Sequence, residues 1–252
     1  MNFSKKIFAL SLCACCAFGA GSAAAYSNAD LNRVLNGENC VGGDLSGADL
    51  SGMNLCYRNF TGTDFTEARL DGTQLDNALL DNANFTNTLM ARASLRHASL
   101  NGANFSFATA TEADFTKAEL QNVTLYRAQL SRSKLQGAAL RYAKGEEVLL
   151  DGVQADYADF SFANLPYSWL RKASLRNAVF YGTNLYKGHL EASDLTEADA
   201  RSAKLGYAAL QHSKLNHTKF DSAYLAHANL HNAEMNYTEF GTAFLDDAAL
   251  DK

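Results

Sequence analysis

The sequence predicts an all-β solenoid, a four-sided β-helix of about ten coils preceded by a short capping α-helix, and three observations predict it. From Leu45 to Leu250 every fifth residue falls in one unbroken register of 42 positions, 38 of them Leu, Phe or Met. The residue two places earlier in each unit is small in 40 of the 42 cases, Met53 and Arg58 being the exceptions. Phenylalanines recur at steps of 20, as Phe65, Phe85 and Phe105, as Phe160 with Phe180, and as Phe220 with Phe240.

A period of five fits neither an α-helix, which repeats every 3.6 residues, nor a strand, which alternates every two. The chain must therefore turn at each unit. Five residues per side of a square point the large residue inward from each face and the small one inward near each corner. The other three positions face water, and the 20-residue step stacks equal side chains on one face from coil to coil.

The elements follow in order. Residues 1–25 read as a cleavable secretory signal peptide: Lys5 and Lys6 precede an apolar run from Ile7 to Phe18, and Ala23 and Ala25 suit cleavage before Tyr26. The run is too short for the roughly 20 residues a membrane-spanning helix needs. A second reading takes Leu12-Cys13-Ala14-Cys15 as a lipobox, which would acylate Cys15 and attach the protein to a membrane.

Residues 26–42 form a cap and linker. Ser27 or Asn28 is the N-cap of a short helix, Leu31, Val34 and Leu35 lie on one face, and Gly37 terminates it. This helix is expected to lid the first coil, whose strand edges and leucines would otherwise be bare. With Cys13, Cys15 and Cys16 in the signal, Cys40 and Cys56 remain, either as a disulfide in an oxidising compartment or as two unpaired thiols.

Residues 43–252 carry the repeats. The register is weakest from Lys144 to Ala155, where Gly145 and Ala155 leave inward positions unfilled and Glu146, Glu147 and Val148-Leu149-Leu150 break the polar surface habit. A local bulge is expected there, and with Pro166 and Trp169 close behind, a recognition patch is the other reading. At the far end the register runs to Leu250 with no second lid, so the last coil either frays or offers a surface for end-to-end pairing of two copies.

The pattern, as in Ala48-Asp49-Leu50-Ser51-Gly52 and Ala113-Asp114-Phe115-Thr116-Lys117, resembles the pentapeptide-repeat family over residues 43–252. The resemblance implies a right-handed quadrilateral β-helix whose coils stack at about 4.8 Å through main-chain hydrogen bonds. It also implies the end-to-end dimers of the quinolone-resistance members, and their role as DNA mimics acting on type II topoisomerases.

Charge narrows the functional classes. The net charge is −5, and loss of Lys5 and Lys6 takes it to −7, which argues against nucleic acid as a direct partner. Residues 91–220 nevertheless hold 16 Lys and Arg against 12 Asp and Glu, so both ends are acidic and the middle is slightly basic. That distribution, with the export signal, disfavours the topoisomerase role, which stays open only for a cytoplasmic chain.

No stretch carries a phosphate-binding glycine loop, a zinc-protease motif or a nucleophile elbow. A packed β-helix also offers no cleft for a substrate, so catalysis and cofactors are not expected. One metal candidate is His212 with His231 and Glu191, two imidazoles and a carboxylate on neighbouring coils. The better candidate is an outward stripe of Phe107, Tyr126, Tyr167, Tyr186 and Tyr207, with Arg127, Lys187 and His227 beside it. Aromatic and cationic side chains in one column suit a protein or glycan partner; the other reading is stacking of surface side chains on neighbouring coils. The function expected is therefore a non-enzymatic, exported structural or binding rod, periplasmic or secreted from a bacterium.

Overall fold

The structure, a computed structural model, describes residues 26–250. The expected signal peptide, with Cys15, lies outside them. From Asp44 onward each bridging residue pairs in parallel with the residue 20 further on, at every fifth position, ending with Asn229 and Ala249. This is a right-handed quadrilateral β-helix, each side contributing one bridging residue per coil.

The four sides are named by their inward residues. Side I carries Leu45, Phe65 and Phe85; side II, Leu50 and Leu70; side III, Leu55 and Leu75; side IV, Phe60 and Leu80. Each continues at steps of 20. On every side the main chain is satisfied from both neighbouring coils: Leu70 N–H donates to Leu89 O at 2.6 Å on the coil that follows, and Arg69 N–H to Ala48 O at 2.9 Å on the coil before.

Corners are four-residue turns. Ala68 N–H donates to Phe65 O at 2.9 Å, and the intervening Glu67 sits at φ 58°. A positive φ at the second central residue is what a type II turn requires. Gly52 and Gly62 meet that need without cost, but Asn77, Asn82 and even Tyr57 and Phe107 hold it too. Left-handed backbone costs a non-glycine residue roughly 1–2 kcal/mol, which the coil-to-coil hydrogen bonds on either side offset.

The interior is filled by the rows the periodicity predicts. Phe65 and Phe85 stack at 5.1 Å between ring centroids, Phe85 and Phe105 at 4.8 Å, and Phe160 and Phe180 at 5.0 Å. Threonine is tolerated at the small inward position because its hydroxyl has a partner: Thr73 Oγ1 donates to Leu50 O at 2.8 Å and Thr88 Oγ1 to Phe65 O at 2.7 Å.

The bulge expected between Lys144 and Ala155 is absent, since Lys144, Leu149 and Gln154 all keep their bridges. The reason is compensation of volume. A Cβ placed on Gly145 would lie 2.7 Å from Cγ2 of Val148, so the valine at the small position occupies the space the glycine vacates. Only the corner relaxes: Val148 N–H turns to Ser168 Oγ at 3.3 Å.

The lid is α1, Asn28–Leu35. Ser27 caps it by accepting from Asp30 N–H at 3.2 Å. At the other end Gly37 takes φ 88° while its N–H reaches Val34 O at 3.0 Å and Glu38 N–H reaches Arg33 O at 2.9 Å, a Schellman motif. Asp30 accepts from Asp44 N–H at 3.1 Å, tying the helix to the first coil. Val34 is fully buried and Leu31 partly so, but Leu35 is 58% exposed and does not belong to the packed face.

Cys40 and Cys56 are separate thiols. The disulfide reading fails because they lie on opposite sides of the wall. Cys40 is buried at the inward position 20 residues before Phe60, its N–H already bonded to Asn59 O at 2.9 Å, whereas Cys56 sits on an outward corner. At the far end the inward row loses cover: Met235, Phe240 and Leu245 are only partly buried and Leu250 is 40% exposed.

Candidate binding face

The expected stripe divides into two groups. Tyr167, Tyr186 and Tyr207 lie on the corner between sides I and II, Tyr167 meeting Tyr186 edge-on at 6.0 Å and Tyr186 meeting Tyr207 at 5.7 Å. His227 stacks on Tyr207 at 4.5 Å. Lys187 places its ammonium 5.8, 5.5 and 5.8 Å from the rings of Tyr167, Tyr186 and Tyr207, a cation held among three aromatic rings.

Phe107 and Tyr126 lie on the same corner but apart from that cluster. Between the groups stand Glu146 and Glu147, and Arg127 is bound to Glu147 at 2.8 Å. The stripe is thus interrupted by charge where the sequence expects a continuous column.

Two clusters escape the single-column reading. On side II, Trp169 stacks on His189 at 4.3 Å, with the Arg171 guanidinium 4.5 Å from the indole. An open groove of about 610 Å³ runs beside it, lined by Tyr167, Lys187, Leu149 and Glu147 among others. On the corner between sides IV and I, Tyr142 stacks on Phe162 at 5.4 Å and Phe162 meets Tyr181 edge-on at 5.4 Å. The signal for both was the 20-residue step, which relates Trp169 to His189 and Tyr142 to Phe162 as it relates the core phenylalanines.

Side I between residues 141 and 227 is therefore bordered by aromatic rings on both of its corners. Its centre carries Lys144, Asn164, Asn184, Lys204 and Tyr224. Asn184 Nδ2 donates to Asn164 Oδ1 at 2.7 Å, and Asn184 Oδ1 accepts from Tyr186 N–H at 3.0 Å. Tyr224 leans over Gly206, where an added Cβ would come within 2.8 Å of its ring. Arg201 is bound to Asp199 at 2.7 Å, and that bond holds the Asp199 carboxyl below the usual carboxylate range. Among the described residues, the exposed aromatics outside this side and its corners are Tyr26, Tyr57, Tyr157 and Tyr237, the last stacked on His217 at 5.0 Å, and Trp169 is half-buried on side II.

The metal candidate does not assemble. Among the described residues no group of three His, Cys, Asp or Glu side chains is arranged to hold an ion. Glu191 turns instead to His189, Oε1 lying 3.1 Å from Nδ1.

A filled four-sided coil whose distinguishing chemistry is all on its outside defines a solenoid scaffold of the repeat-protein class. Within that class the chain belongs to the pentapeptide-repeat family: the pentapeptide repeats pattern matches in eight copies, with spans that run from 44–82 to 203–240. No catalytic family is indicated. The chain is similar to HetL, a pentapeptide repeat protein involved in heterocyst differentiation regulation from the cyanobacterium Nostoc sp. strain PCC 7120, with 26% identity, TM-score 0.70, and 86% of this chain covering 94% of that one. Further matches are to QnrB1, a plasmid-mediated fluoroquinolone resistance protein, at 18% identity and TM-score 0.32 over 80% of this chain and 88% of that one. A pentapeptide repeat protein of the Arabidopsis thaliana thylakoid lumen matches at 26% identity and TM-score 0.33 over 47% of this chain and 68% of that one. No curated protein matches at a significant level.

Proposed function

We propose that the protein is a non-enzymatic, exported rod of the bacterial envelope or exterior that binds another macromolecule through side I and its two flanking corners. The observation that carries this reading is the gathering of exposed aromatic rings on one side of the rod over residues 141–227, around lysines and amides. Exposed rings among hydrogen-bonding side chains on a rigid scaffold favour recognition over solubility. Export rests on Lys5, Lys6 and the apolar run to Phe18. The DNA-mimic reading is disfavoured because this side is locally basic where a mimic needs negative charge.

Two measurements test the proposal. Fractionation with N-terminal sequencing is expected to find a chain beginning at Tyr26 outside the cytoplasm; an intact chain confined to the cytoplasm would remove the export part. A photo-crosslinking residue at Asn184 on side I is expected to form an adduct in the native compartment that the same residue at Gln154, on the opposite side III, does not. Equal labelling from both sides, or none from either, would remove the binding part.

A further inference from the structure

On side I the arginines and the lysines behave differently. Arg141 lies 3.7 Å from Asp159, Arg201 is bound to Asp199, and on the far corner Arg127 is bound to Glu147. Among the described residues no carboxylate lies within 4.0 Å of the ammonium of Lys144, Lys187 or Lys204. The Lys187 ammonium lies instead 5.5 to 5.8 Å from three tyrosine rings. In a chain of net charge −5 this side holds three cations that no acid neutralises.

The centre of the N-terminal half of the same side carries Asp44, Asp64, Asn84, Asn104 and Thr124, with no lysine among them. Thr66 Oγ1 donates to Asp64, Asn84 donates to Thr66, Thr86 donates to Asn84, and Asn104 donates to Thr86, so the polar groups are spent on one another. Lys144 and Lys204 are left for an outside anion.

The uncharged part of the face says what else that anion carries. From 141 to 227 the outward positions of side I and its corners contain Tyr, Phe, Asn, Ser, Lys and Arg, with Glu146, Glu147, Asp221, His227, Pro166, Ala226 and two glycines, but no Leu, Ile, Val or Met. The core of a protein–protein interface is enriched in Tyr, Trp, Phe, Met and Arg but depleted in Lys and Ser, whereas here the rings are interleaved with Lys144, Lys187, Lys204, Ser161 and Ser202. Rings set among amides, hydroxyls and ammoniums instead suit a pyranose, whose C–H face packs on an aromatic ring while its hydroxyls take hydrogen bonds. The side is also straight, and three coils at about 4.8 Å each put Lys144 and Lys204 roughly 14 Å apart, with Asn164 and Asn184 between them. That is a track for a linear polymer of acidic sugars.

We propose that side I binds an acidic polysaccharide lying along the rod axis, its carboxylates or sulfates on Lys144, Lys187 and Lys204 and its sugar rings against Tyr142 and Tyr186. The proposal rests on the binding reading above. Single-stranded nucleic acid uses similar groups; the net charge of −5 disfavours it, and it is the competing outcome in the test below.

The test is electrophoresis of the whole purified protein through gels containing polygalacturonate, heparin or neutral dextran. Retardation is expected with polygalacturonate if carboxylates are read, with heparin if sulfates are, and with dextran not at all. The pair Lys144→Gln and Lys204→Gln, both at outward positions where circular dichroism should stay unchanged, is expected to weaken binding roughly ten-fold through two lost ion contacts, and Lys→Arg at both positions to retain it. The proposal is overturned if neither acidic polymer retards the protein, if dextran retards it equally, if the Gln pair binds as tightly as the parent, or if a single-stranded oligonucleotide displaces the polysaccharide at lower concentration. Should retardation fail while the Asn184 crosslink still forms, only the polysaccharide falls; should both fail, the binding reading falls with it.

Discussion

Arg58 Nη1 donates a hydrogen bond to the carbonyl oxygen of Val34 at 2.7 Å, joining the first full coil to the last turn of α1. Arg58 is one of two residues that break the small-residue rule, and its place explains why: beneath it lies the lid and no earlier coil, so the space a small residue would keep clear is used to dock the helix end. The guanidinium also meets the carbonyl end of the helix dipole. Arg58→Ala is expected to cost about 1.5–3 kcal/mol, the range for a hydrogen bond to a charged group. Amide hydrogen exchange should show the loss in α1 and the first coil and leave the coils beyond Leu100 protected, because solenoid coupling acts between neighbours.

The same lid is acid-sensitive by a second route. Asp30 accepts from Asp44 N–H, and chiefly for that reason its carboxyl is held below the ordinary carboxylate value. A lowered folded pKa means that the unfolded chain takes up the proton first, so the contact contributes fully above the ordinary carboxylate range and is lost as pH falls through the lowered value. Thermal unfolding of α1, followed by its amide signals, is expected to be pH-independent near neutrality and to weaken in acid. Asp30→Asn should abolish that acid dependence; an unchanged profile would place the titrating group elsewhere.

How far the sequence reaches depends on which way a side chain points. Inward positions admit few residue types, so the rows from Leu45 to Leu250, the 20-residue coil and the stacked phenylalanines are legible from spacing alone. Even Cys40 carries the signal, standing five residues before Leu45. Outward positions are chemically permissive. That Glu147 would bind Arg127 and split the stripe, or that Lys187 would settle among three tyrosines, depends on side-chain torsions that no periodicity encodes. Trp169 with His189 and Tyr142 with Phe162 were legible in principle, since each pair is 20 residues apart, but only when every outward column is read and not one.

Leu175 on side III is fully buried and Ala118 is 1% exposed. Leu175→Asp would place a charge in a dry row with nothing to pair it, and a loss of more than about 4 kcal/mol is expected, in the exceptional range for single substitutions. Ala118→Leu overfills the corner and is expected to cost about 1–3 kcal/mol. Chemical denaturation ranks the two, and the reverse order would mean that the interior is wetter or looser than its rows imply.

Ser133 offers a stabilising change. It occupies the small inward position where alanine is commonest, and its buried Oγ has no hydrogen-bond partner among the described residues, unlike the hydroxyls of Thr73 and Thr88. Removing an unsatisfied buried hydroxyl is expected to gain about 1 kcal/mol. A lower denaturation midpoint for Ser133→Ala would show that the hydroxyl has a partner after all.

Gly145 and Val148 form the clearest pair for a double-mutant test, because each departs from the repeat and each departure fits the other. With a Cβ at residue 145 lying 2.7 Å from Val148 Cγ2 and 3.0 Å from Leu125 Cβ, Gly145→Leu alone has nowhere to put its side chain. It is expected to cost about 1–3 kcal/mol or more by overpacking. Val148→Ala alone leaves a void beside the glycine and is expected to cost about 1–3 kcal/mol as a cavity. Together they restore Leu at the large position and Ala at the small one, and the double variant should be more stable than either single one. The coupling expected for residues sharing one space is about 0.5–3 kcal/mol, favourable in sign. Simple additivity in urea unfolding would show that the valine does not occupy the glycine's vacancy and that the unbroken register of this stretch has another cause.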